Sequence, residues 1–387
     1  MRVAWFRPDT ASSRDLAAVI DGLRETHDVH VVDARAAHDF VWQAAQGAFD
    51  LCVYELDDSA AHQYMWPYLL NYPGVLVLRT VSLHHGRAVS LVHQHRDADR
   101  DAEIAFAGGD LRTDAPWPLL RGSWSTWRVP VLASRATVVS DDALAAAIAR
   151  DCPGARVTRV PTGVPDPRRG AAAAAARETA LPLRVVVCED GSPGAVERAA
   201  ARARQAGANL DIVRAATMEP RAALDADVVV ATRWPSLGRP LFAALVGAAA
   251  GKAVVVAETE STASWPALDP QAWQPRALAT GIGAPEPPMA ISIDPRDEEH
   301  SLVLALTRLA HDAALRSALG SAARAWWARH STVAHAVAAW QALIDDAVSL
   351  PVPPRPAGWP AHLDADGGGT LRAVLDQLGI ANVEGGL

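Results

Sequence analysis

Three arginines stand just past short apolar runs of the chain: Arg79, Arg233 and Arg239. A guanidinium presents paired N–H donors to a phosphate or carboxylate, so three converging on one cleft could hold a diphosphate. The turn Pro235-Ser236-Leu237-Gly238 joins a predicted strand to a helix. Such a turn can aim backbone amides at an anion, with Ser236 adding a hydroxyl and Gly238 allowing close approach. The plain alternative is an ordinary strand-to-helix turn. Glu258 and Glu260 follow a further apolar run. Either could accept hydrogen bonds from ribose hydroxyls, or simply face solvent. His84 and His85 follow the fourth strand, with His62 in the preceding helix. They could contact a sugar hydroxyl or stabilise a leaving phosphate. Lys252, the only lysine, falls where a helix turns into a strand. That is the amino end of the sheet, which suits a solvated helix-end lysine better than a phosphate ligand.

These positions depend on alternating strands and helices. Apolar strands are expected at Arg2–Phe6, His30–Asp33, Asp50–Glu55, Val75–Leu78, Thr137–Ser140 and Val157–Val160. Helical spacing covers Ser12–Glu25 and Ser59–Leu70, with Ser59 as N-cap, and Asp141 or Asp142 can cap the helix after the fifth strand. The stretch around His93, His95, Asp97, Asp99 and Asp101 reads as a solvated loop rather than a metal site. The alternation restarts with strands at Leu183–Cys188, Leu210–Arg214, Val228–Ala231, Ala253–Ala257 and Ala290–Ile293. Helices at Pro193–Gln205, Pro240–Ala250 and from Glu298 to Val348 accompany them. Continuous apolar strands separated by helices imply α/β architecture with parallel sheets covered on both faces. The expected division is residues 1–165 and 183–330 as two Rossmann-like domains, with 166–182 as linker. Residues 331–350 form a crossing helix and 351–387 a Pro/Gly-rich tail with a short helix.

Composition narrows the class. Lys and Arg number 36 against 44 Asp and Glu, a net charge of -8, which argues against a nucleic-acid binder. Cys52, Cys152 and Cys188 are far apart and form no disulfide framework. No signal peptide or apolar span stands out, so a cytoplasmic protein is expected. Trp117, Trp124 and Trp127 cluster ahead of the last helices of the first half and read as packing residues.

Tyr54 to His85, with its Tyr-x-x-x-Asp-Ser turn and Pro-Gly-Val strand, resembles the acceptor domain of family 4 glycosyltransferases of the GT-B type. Arg156–Val164 is similar to the segment that closes that domain. The run from Ala223 through Pro240 to Glu260 resembles the donor-domain signature, and Ala323–Ala339 the helices that cross back. The resemblance implies a GT-B fold, with two Rossmann-like domains facing a central cleft. It implies transfer of a sugar from a nucleotide-sugar donor, with retention, no metal and no cofactor beyond that co-substrate. Arg79, His84 and His85 would act on the reacting groups, while Arg233, Ser236, Gly238, Arg239, Glu258 and Glu260 would hold the donor. The acceptor would be a saccharide or lipid-linked group. The family leaves room for a peripheral membrane or transferase partner, and oligomeric state is open.

The departures are local. The family's two donor-site glutamates correspond to Gly238 and Val246, and Arg239 stands where a bacterial subgroup places its glutamate. The basic pair expected after the seventh strand is replaced by Glu189 and Asp190, which would repel a diphosphate. Arg79-Thr80 replaces a His-Asp pair, and Arg7 to Ser13 replaces a glycine-rich loop. A second reading follows: a degenerate GT-B protein that binds or scaffolds an active transferase.

Overall fold

A computed structural model describes residues 1–9, 16–80, 82–108, 126–169, 182–188, 191–235, 241–276 and 286–364. The first six strands are β1 (Arg2–Phe6), β2 (Asp28–Val32), β3 (Leu51–Leu56), β4 (Val75–Leu78), β5 (Ala136–Val139) and β6 (Val157–Arg159). They form one parallel sheet ordered β2-β1-β3-β4-β5-β6. Its helices are α1 (Ala17–Leu23), α2 (Ala37–Ala45), α3 (Met65–Asn71), α4 (His84–His93), α5 (Asp97–Phe106), α6 (Arg128–Ala133) and α7 (Asp142–Asp151). Strands with both faces covered need apolar residues at every position, and β4 (VLVL) is buried throughout.

The second sheet contains β7 (Leu183–Val187), β8 (Leu210–Arg214), β9 (Val228–Ala231), β10 (Ala253–Ala257), β11 (Ala267–Leu268) and β12 (Ala290–Ile293). Its order is β11-β12-β10-β9-β7-β8, and its strand pairs are parallel. Around it lie α8 (Ala195–Gln205), α9 (Pro220–Asp225), α10 (Phe242–Ala250), α11 (Glu298–His311) and α12 (Ala313–His330). Every residue of α10 after Phe242 is buried, so its alanines and glycine pack against β9 and β10 on one side and α12 on another. This is the α/β class expected from the alternation.

The chain then returns to the first sheet. Helix α13 (Val333–Ala347) lays Trp340, Leu343, Ile344 and Ala347 into the core formed by Val3, Trp5 and α1. The rings of Trp340 and Trp5 are 4.7 Å apart at their centroids. Gly163 permits this approach, since a Cβ there would meet Ala336 and Val19 at 2.8 Å. No helix among the described residues is long and apolar enough to cross a membrane.

Residues 351–364 continue along the first sheet's helices. Arg355 donates to the carbonyl of Leu70 at 2.9 Å, Trp359 meets the Phe106 ring edge-on, and Leu363 is buried in the core. His362 Nε2 lies 2.9 Å from Glu103, whose carboxylate also receives Arg87 at 2.7 Å. Burial alone would push the Glu103 carboxyl up, but the hydrogen bonds from His362 and Arg87 outweigh it and hold it below the usual glutamate range. A depressed folded value means this contribution is complete above the ordinary glutamate pKa and is lost as pH falls through the lower folded value. Amide protection in residues 355–364, taken relative to the intrinsic exchange rate at each pH, should therefore hold through neutral pH and fall only under acid conditions. A fall in protection already near pH 6 would refute that assignment. The short helix expected after residue 370 lies outside the described residues.

Some local expectations shift. Ser59 does not cap a long helix: it is extended, its hydroxyl meets His62 Nδ1 at 2.9 Å, and a 3-10 turn at Ala60–His62 precedes α3. The stretch from 93 to 101 is not a loop. It closes α4 and opens α5, where Asp97 and Asp99 sit in the first turn and favour the positive end of the helix. Ion pairs of Arg96 with Asp99 and Arg100 with Asp97 occupy those acids. Trp127 is buried and donates to Asp151 at 2.9 Å, while Trp117 and Trp124 lie outside the described residues.

Candidate functional site

The carboxyl ends of both sheets open on one cleft of about 270 Å³. From the first sheet it is lined by Ser140 and Asp141 after β5, and by Arg159 and Thr162 at the end of β6. From the second come Leu241 and Leu245 at the start of α10, and Glu260, Ser261 and Trp265 after β10. The Trp265 and Trp326 rings, 5.4 Å apart at their centroids, form its apolar wall. Ligands of parallel α/β sheets bind at this edge, because the loops that follow the strands converge there.

Each polar group is placed by local structure. Asp141 caps α7, accepting from the Leu144 amide at 2.7 Å, as the sequence suggests. Its second oxygen accepts from Ser261 of the other sheet at 3.4 Å, so one carboxylate touches both halves. Burial pushes the Asp141 carboxyl above the ordinary aspartate range. Arg159 lies 3.7 Å from Asp142, a loose and half-exposed pair. Helix α10 starts without a side-chain cap and without an acid in its first turn. The helix dipole adds partial positive charge at that end.

The expected site residues are distributed unevenly. Glu260 lines the cleft. Arg79 lines a smaller cavity of about 40 Å³ whose wall includes Ser140 and Thr162, so the two spaces adjoin. Glu258 is exposed and sits 3.4 Å from Arg276. Arg233 stands two residues past β9, half-buried, and is not among the described lining residues of the cleft. His84 is buried at the start of α4, in a third small cavity with Arg87 and Glu103, whereas His85 is exposed. Ser236, Gly238 and Arg239 lie outside the described residues.

The structure also brings forward residues that spacing did not single out. Glu55 is fully buried near the end of β3. Trp5 Nε1 donates to it at 2.7 Å, Arg7 approaches at 3.6 Å and Arg79 at 3.8 Å. Because β1, β3 and β4 are neighbours, the three charges form a row of alternating sign across their carboxyl ends. In the second sheet, Glu298 opens α11 and receives the Ser192 amide at 3.0 Å and the Thr232 hydroxyl at 3.3 Å. A charged residue inside an otherwise apolar strand was the available signal for Glu55. For Glu298, at the start of a polar helix turn, there was none.

No family model and no curated protein matches the sequence. Among solved structures, the chain is similar to the Anabaena protein HepE in complex with UDP and glucose, and in complex with UDP-glucose. Each match has 11% identity and a TM-score of 0.53, and covers 89% of this chain and 100% of the other. At that identity the likeness shows the fold. The architecture is GT-B: two Rossmann-like sheets face a cleft, and the last long helix crosses back to the first.

Proposed function

We propose that this chain is a glycosyltransferase that takes a nucleotide sugar against its second sheet and passes the sugar to an acceptor against its first. The observation that carries the reading is the cleft, where the start of α10 and the hydroxyl-rich turn after β10 face the carboxyl ends of β5 and β6. A fold shared with a protein crystallised with UDP-glucose supports it. In the reaction the bond from the sugar's anomeric carbon to the diphosphate breaks. A bond to an acceptor oxygen forms, and the acceptor hydroxyl loses its proton. Catalysis then rests on positioning and on stabilising the departing charge. The positive end of the α10 dipole suits the diphosphate, and the carboxylate of Glu260 suits sugar or ribose hydroxyls. Retention, independence from a metal ion, a saccharide or lipid-linked acceptor and a cytoplasmic setting belong to the same reading.

One observation favours the second reading, a GT-B protein that binds or scaffolds a transferase. Arg79 is engaged by the buried Glu55, which offsets the charge a diphosphate would need. Calorimetric titration with UDP and GDP, followed by assay of nucleotide release from a panel of nucleotide sugars, decides between the two. The transferase reading expects binding and turnover, and expects Glu260→Ala to weaken nucleotide-sugar binding about 10-fold by removing charged hydrogen bonds. Absence of binding at millimolar nucleotide would leave the scaffold reading.

A further inference from the structure

Two tryptophans are strongly exposed among the described residues, and they differ in place. Trp42 lies within α2, with 72% of its surface exposed. Trp234 is 53% exposed and stands three residues past the end of β9, at the ligand-binding edge of the second sheet. That sheet runs from β7 to β8 in one direction and from β7 to β9 in the other, so β7 and β9 flank its switch point. Nucleotides bind doubly wound sheets at this crevice.

The backbone leading to Trp234 is held firmly. Thr232 is fully buried, and its hydroxyl accepts the Gly191 amide and donates to Glu298, both at 3.3 Å. Glu298 also accepts the Ser192 amide at 3.0 Å. Gly191 is required for this closeness, since a Cβ would come within 2.7 Å of the Thr232 carbonyl. The end of β9, the turn after β7 and the start of α11 are thus one hydrogen-bonded unit. Two residues on stands the half-exposed indole of Trp234. A large aromatic ring exposed on a rigid base at a switch point is suited to stacking a planar ring.

The geometry points to Trp234 as the platform on which the donor's nucleobase stacks. The inference rests on the transferase reading and extends it by naming a binding residue. Stacking on an indole does not depend on the base, so UDP and GDP should be affected alike. The neighbouring Arg233 would then lie on the phosphate side of the same nucleotide.

The test uses the full chain with Trp234→Ala and Trp234→Phe, titrated by calorimetry with UDP, GDP and ribose 5-phosphate. Loss of the ring should weaken UDP and GDP about 10-fold, and phenylalanine should recover all but about 3-fold of that. Ribose 5-phosphate has no base, so its affinity should not change. The melting temperature should hold, since an exposed side chain contributes little to folding. Wild-type binding of UDP with equal binding by Trp234→Ala would overturn the platform and leave the transferase reading intact. Equal weakening of ribose 5-phosphate would also overturn it, by showing that the ring acts through loop shape. Failure of the wild type to bind either nucleotide removes both readings.

Discussion

Replacing Trp340 with alanine should lower the stability of the first sheet by about 3–5 kcal/mol, the usual cost of deleting a fully buried large side chain. The ring is 1% exposed and sits against Trp5, in the layer where α13 crosses from the second half of the chain. The loss has two parts: the apolar area returned to water, and the contacts left facing a void that α1 and β1 cannot easily fill. Gly163 lets α13 lie close to Val19, so the surrounding backbones are already in near contact and have little room to collapse. Amide exchange in β1 and β3 reports the effect directly, because it reads the opening free energy of those strands. Exchange there at the wild-type rate would refute the assignment of α13 as part of the first core. The same variant should leave α8 and β7 unaffected, since they belong to a different core.

The second large effect is expected at Glu55. Glu55→Ala removes the counter-charge shared by Arg7 and Arg79, whose side chains are only 12% and 10% exposed, and it leaves the Trp5 indole N–H without its acceptor. Breaking a buried ion pair by removing one partner costs about 3–5 kcal/mol, because the remaining charge stays desolvated. Glu55→Gln should cost less, since the amide oxygen can still accept from Trp5 while the charge is gone. Urea unfolding of the two variants separates the contributions. Equal losses would mean that the Trp5 hydrogen bond matters little and the charge accounts for the effect. A negligible loss in Glu55→Ala would mean that the row of charges is not a buried network. The arrangement also bears on function, because any ligand that recruits Arg79 must compete with Glu55.

The strands were the most legible part of the sequence. Val75–Leu78, Leu210–Arg214, Val228–Ala231, Ala253–Ala257 and Ala290–Ile293 occur with the bounds the apolar runs suggest. Four of these strands are buried throughout, as doubly covered strands are, so their limits appear where polarity resumes, while the edge strand Leu210–Arg214 leaves Asp211 and Arg214 exposed. Polar helices were harder. In α5 only Glu103 and Ile104 are buried, so its hydrophobic period is faint and its stability comes from first-turn acids and local ion pairs. Asp141 was legible as a cap, which is a local matter of three residues, but not as a bridge to Ser261, 120 positions away.

What the sequence by itself determined is the alternation, and with it two parallel sheets whose carboxyl ends are the natural place for a ligand. Period and polarity encode that, since each strand and helix must bury its own apolar face. Only the tertiary structure decided which polar groups meet at that edge. It placed Glu260 with Asp141 and Arg159, put Arg79 beside Glu55, and set His84 in a separate cavity. The reason is physical: a charge contributes through its distance to other charges and its removal from water. Strand order and the return of α13 set both quantities, and spacing along the chain does not.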